Sequence, residues 1–144
     1  MNNQRIFELA LRFLLFMYET GGKKTLGRLT VLDFMCIETA NPDGYGTPLH
    51  GRNKFSFCEY VSNVKSAKDA ILFLFKKNLV DYIQEEDGIF FYLTQQGKDK
   101  ACLFHSDFAR QYRVSAKKIA AQYSQCTERD ILNAILKTGN DDWS

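Results

Sequence analysis

Little in this chain serves enzyme or metal chemistry. Only two histidines occur among 144 residues, His50 and His105, and neither has a partner at a spacing diagnostic of a metal site or a catalytic pair. The four cysteines, Cys36, Cys58, Cys102 and Cys126, stand far apart. With no CxxC pair they read as buried or half-buried thiols in a reducing compartment, not as disulfides or zinc ligands. Gly-rich phosphate loops, GxSxG and HExxH are all missing. The adjacent carboxylates Glu85 and Glu86 read as a solvated turn. The expectation is a protein that is not an enzyme and carries no cofactor or metal. A dominant charge is also lacking: 19 Lys and Arg against 17 Asp and Glu leave +2, no global field to hold nucleic acid. No apolar run reaches the roughly 20 residues that a bilayer span needs. Residues 6–18 come nearest, but Glu8 and Arg12 interrupt them. With no signal peptide visible, the chain reads as cytoplasmic.

What the chain does have is aromatic surface, with 12 Phe and 7 Tyr, and such residues gather in cores and interfaces. The length suits one domain with its own core. Ile6, Ala10, Phe13, Leu14 and Met17 define one face of a helix over residues 3–19. Phe7, Leu11, Leu15 and Tyr18 fall largely outside that face. A helix apolar nearly all round is covered on more than one side, either by the C-terminal helices or by a partner. A second helix over residues 25–39 begins at Thr25 as N-cap and holds Asp33 among apolar neighbours. A carboxylate so placed must be paired or hydrogen-bonded. Residues 41–59, with two prolines and three glycines, read as a long irregular loop. Within it Phe55-Ser56-Phe57 alternates as a short strand would.

The stretch from Ser66 to Thr94 reads helix, strand, turn, strand. SAKDAILFLFKKN is helical, LVDYIQ and IFFYLT alternate as strands, and Asp87-Gly88 is a hairpin signal. That order is the core of a winged helix. The expected fold is therefore mainly α with a small antiparallel β wing: a winged-helix core over about residues 3–104 and a helical extension over about 105–138. The extension comprises a helix at 107–123 with Phe108 and Tyr112 on its apolar face, and a last helix at 128–137 capped by Thr127. The tail from Gly139 reads as frayed. The wing tip Glu85-Glu86-Asp87 places three carboxylates where a DNA-binding wing meets phosphate, which favours protein docking over DNA reading.

Several stretches together resemble the middle-component family of bacterial three-component ABC ATPase systems, the group that includes Lamassu-type anti-phage and anti-plasmid defence. They are LGRLTVLDFMCIETAN with Asp33, LHGRNKFSFCEY, and AILFLFKKNLVDYIQEEDGIFFYLTQQGKDKA with its Thr94-x-x-Gly97 exit. The last, HSDFARQYRVSAKK, is similar to the family's S-x-Y-A-x-x-Y-R helix, with Phe108 where Tyr is usual. The resemblance spans residues 13–136. It implies a small non-catalytic subunit that bridges an SMC/Rad50-like ATPase and an effector, often a nuclease, with DNA contacted through the complex.

On that reading, Phe7, Leu11 and Leu15 of helix one and His50 or Phe55 of the loop are the candidate partner contacts. The alternative is a winged-helix transcription regulator, acting as a homodimer and holding DNA through Lys65, Lys68 and Lys76. No Arg, Asn or Gln is well placed beside these lysines for bidentate base reading. A basic stripe of Arg110, Arg113 and Lys117 is a third candidate, for an acidic partner or a phosphate backbone.

Overall fold

Helix α1 (Asn3–Thr20) leads through the short strand β1 (Lys24–Thr25) into α2 (Leu26–Ala40). Then come the long α3 (Leu49–Lys76), the hairpin β2 (Val80–Glu85) and β3 (Gly88–Leu93), and α4 (Gln95–Ala101), α5 (Asp107–Gln122) and α6 (Glu128–Trp143). This computed structural model describes the backbone of residues 3–40 and 49–143, and the side chains of residues 4–38 and 58–135. The fold is mainly helical, with one three-stranded antiparallel sheet in the order β1-β3-β2.

Two expectations need correction. Residues 49–59 are not loop: their backbone is the first third of α3. No proline follows Pro48 and no glycine follows Gly51 until Gly88, so nothing stops a helix from starting early. Tyr60, Asn63, Ala67, Ala70, Ile71 and Leu74 continue one inward stripe at helical spacing, and Tyr60 packs edge-on against Phe34 with centroids 5.5 Å apart. Phe55-Ser56-Phe57 is accordingly helical. The strand completing the sheet is β1, whose Lys24 and Thr25 pair with Phe91 and Phe90. A two-residue strand between helices leaves too short an alternation to read. The last helix also runs beyond its expected end at residue 137, to Trp143.

The hairpin register places Glu85 opposite Gly88, so Glu86 and Asp87 form the two-residue turn. Gly88 has φ +140°, a conformation that only glycine adopts cheaply.

Helix α1 runs through the middle of the molecule and packs against α2, α3, α4 and α5. Its second apolar side is covered by the chain's own C-terminal helix α5, which buries Ala109, Tyr112, Ala116 and Ile119. These three elements meet at Asp33, which is 0% exposed. Arg12 of α1 donates to Asp33 Oδ1 at 3.0 Å through Nε and to Oδ2 at 3.1 Å through its terminal nitrogen. The Tyr112 hydroxyl of α5 donates to Oδ1 at 2.6 Å. Burial opposes the Arg12 charge, but Asp33 outweighs it and holds the guanidinium above its ordinary range. Burial, and then the Asp33 charge, push the Tyr112 phenol and the neighbouring Cys36 thiol well up.

Removing one partner of this buried pair strands the other. Asp33→Ala should cost about 3–5 kcal/mol in urea unfolding, and Tyr112→Phe about 1.5–3 kcal/mol. Tyr112 and Cys36 are acids kept neutral by the fold. The stability they lend is complete below the ordinary thiol and phenol values of 9.0 and 10.0 and is lost as pH rises through and beyond them. Unfolding midpoints measured above about pH 9 should therefore fall with pH.

Candidate partner-docking surface

Four N-terminal residues of α1, Phe7, Ala10, Leu11 and Leu14, form one wall of an apolar groove of about 300 Å³. The other wall is Phe73, Leu74 and Leu79 at the end of α3, with Lys100 and Phe104 from α4 and beyond it. A wider depression of about 690 Å³ adjoins it, lined by Phe73, Lys77, Gln96, Lys100 and Leu103 among others. Phe7 and Phe73 meet with ring centroids 5.0 Å apart, tilted by 53°. The ammonium of Lys77 lies 5.7 Å over the Phe73 ring, a cation–π placement. Phe7 is 53% exposed and Leu103 69%.

Local sequence builds the far wall. Asn78 ends α3 with φ +63°, a left-handed position that asparagine tolerates. The backbone amide of Leu79 then donates to Leu74 O at 3.0 Å. The Thr94 hydroxyl does two jobs: it donates to Asn78 O at 2.6 Å and accepts from the Gly97 amide at 3.0 Å as N-cap of α4. Gly97 passes beneath Leu79, where a Cβ would sit 2.0 Å from that carbonyl oxygen. The Thr-x-x-Gly pattern thus ties the end of α3 to the start of α4. Gly97→Ala should push the two apart and lower stability by about 1–3 kcal/mol in chemical denaturation.

The sequence candidates divide. Phe7 and Leu11 line the groove, Leu11 being half-buried. Leu15 is 0% exposed and belongs to the core: α1 is wrapped by several elements, so a position off its main apolar face is still interior. His50 and Phe55 lie in the backbone of α3; their side chains are outside the described residues. Lys65, Lys68 and Lys76 are all exposed on α3.

The stripe on α5 is mostly engaged within the chain. Arg113 donates to Ala101 O at 2.6 Å and lies over the Tyr18 ring. Lys117 reaches Glu19 at 3.2 Å, and Arg110 pairs with Asp107 one turn back. Phe108, expected on the buried face, stacks on Tyr112 yet remains 47% exposed. Arg113→Ala should therefore cost about 0.5–1.5 kcal/mol, because the Ala101 carbonyl loses one donor and keeps the Phe104 amide, while Arg110→Ala should stay within about 0.5 kcal/mol in the same thermal melt.

Phe73, Lys100, Leu103 and Phe104 went unnoticed in the sequence. Leu103 and Phe104 sit between two helices, where no periodicity marks a face. Among the described residues no group of three or more His, Cys, Asp or Glu could hold a metal ion, and no helix is long and apolar enough to cross a membrane. The surface offers apolar area, aromatic rings and two lysines at the rim, which equips it to bind.

No curated protein and no solved structure matches the chain. The model of one family matches residues 3–144, nearly the whole length. Its matched region takes in the Asp33 helix, the Thr94–Gly97 exit and the Ser106–Arg113 helix, whose geometry has just been described. The chain belongs to the ABC-three component (ABC-3C) system Middle Component 2 family.

Proposed function

We propose that this chain is a non-catalytic accessory subunit that bridges an SMC/Rad50-like ATPase and an effector, often a nuclease, in an anti-phage and anti-plasmid defence complex of the Lamassu type. Membership of a middle-component family supports a place in a multi-protein system. The observation that carries the bridging role is that α3 serves two separate apolar surfaces. Phe73 faces Phe7 in the groove. Phe75, about 200° further round the helix, instead meets Tyr82 of the hairpin at 5.7 Å and is exposed with Leu72 and Val64. A subunit that joins two partners needs two such surfaces that share no residue.

The order α1-β1-α2-α3-β2-β3, with β3 central in the sheet, supports a winged-helix core as the scaffold. In that frame α3 is the element that a DNA reader inserts in the major groove. The alternative regulator reading leans on its three exposed lysines. Against it stand the apolar residues between those lysines and the carboxylates of the adjoining wing tip.

The test is a tagged pull-down from the native host, with bound proteins identified by mass spectrometry. A stoichiometric large ATPase is the expected result. A homodimer that retains duplex DNA at moderate salt would favour the regulator. Phe7→Ala removes one half-exposed ring and its contact with Phe73, worth about 0.5–1.5 kcal/mol. It should leave the fold intact by circular dichroism while releasing one partner from the pull-down. Retention of both partners would remove the groove from the interface.

A further inference from the structure

Among the described residues, the outward face of α3 takes no part in the groove and is largely uncovered, the hairpin's Tyr82 meeting it only at Phe75. Val61, Val64, Lys68, Leu72 and Phe75 recur along it at intervals of three and four residues, and all are exposed. They span about 20 Å at the rise of an α-helix. That spacing makes a seam of the kind that one helix offers another. Lys65 and Lys76 flank it and Lys68 lies at its middle; among the described residues none of the three makes an ion pair.

We propose that this face docks an acidic amphipathic helix of a partner subunit, the apolar seam meeting an apolar seam and the three lysines meeting carboxylates. The inference rests on the subunit reading above and names the chemistry of one of its two partners. Charge selects the occupant. A second copy of the chain would set lysines against lysines across the seam, which is repulsive. Duplex DNA would gain three phosphate contacts, but it would press Val61, Val64 and Leu72 against a charged backbone with no base-reading side chain among them. An acidic helix satisfies both parts of the surface at once. A carboxylate opposite Lys68 would also fix the register and direction of the incoming helix, as a single polar residue in an apolar seam does.

The experiment uses the assembly purified through a tag on this chain, from cells that express the whole system, with and without nuclease treatment. Lysines are acetylated with an N-hydroxysuccinimide ester. A parallel sample is treated with a carbodiimide that joins amines directly to carboxylates. In the assembly Lys65, Lys68 and Lys76 should acetylate at least about tenfold more slowly than in the free chain, the factor that 1.4 kcal/mol of occlusion gives. The carbodiimide should link at least one of them to an Asp or Glu of a partner segment whose apolar residues repeat every three or four positions. Lys68→Glu should release that partner, Lys68→Arg should keep it, and both variants should melt like the parent because the side chain is exposed.

Equal acetylation in the free and assembled chain overturns the proposal, as do links to a second copy. Protection that disappears with nuclease assigns the face to DNA instead. A chain that purifies alone defeats the subunit reading and this inference with it, whereas an assembly with open lysines defeats the inference alone.

Discussion

The buried carboxylate of Asp33 sets the terms for the rest of the molecule. A charge with no exposed surface costs several kcal/mol to desolvate unless it is met by good geometry on every side. The chain meets it from two directions, a guanidinium from α1 and a phenol from α5. Three helices distant in sequence are thereby held at one point, and the apolar faces around it have a single way to pack. Hydrophobic burial supplies the driving force. The ionic centre supplies discrimination, because a slipped helix would leave the charge unpaired.

From that centre the surfaces follow. With α1 fixed by Arg12, its N-terminal turns project Phe7 past the core. With α5 fixed by Tyr112, Arg113 on the next position can hold the last carbonyl of α4 and steady the groove wall. The Ser106-x-Phe108-Ala109-x-x-Tyr112-Arg113 pattern is then a set of structural instructions. Ser106 caps α5, Ala109 is small enough for the core, Tyr112 reaches Asp33 and Arg113 reaches Ala101. The stretches that carry the family likeness describe the frame. The exposed residues proposed to meet partners are a separate set, some of which, such as Leu72 and Phe75, lie within the same stretches.

That division explains what was legible in the sequence. The α1 and α5 periods, the Thr25 and Thr127 caps and the hairpin turn were readable because each rests on local chemistry. Asp33 was readable as a buried acid needing a partner, but not which partner, since Arg12 and Tyr112 lie 21 and 79 residues away in sequence. The early start of α3 was missed because Pro48 precedes it, Gly51 lies in its first turn and the Phe-Ser-Phe alternation imitates a strand. β1 was missed because its pairing depends on β3, more than sixty residues later. Of the docking candidates, Phe7 and Leu11 were visible as surplus apolar residues. Leu15 carried the same signal, because composition cannot tell an outer face from a second inner one. Leu103 and Phe104 gave no signal at all.

The Tyr112–Asp33 bond has a consequence in time. During synthesis the first three helices and the hairpin leave the ribosome well before α5 does, so Asp33 has at most Arg12 for company and the α1 surface that α5 will cover lies bare. Contacts this distant in sequence form late, after loop closure has been offset by other packing. The groove wall that depends on Arg113 is completed in the same step. A chain that ends before α5 therefore lacks the finished groove wall and leaves Asp33 without its phenol.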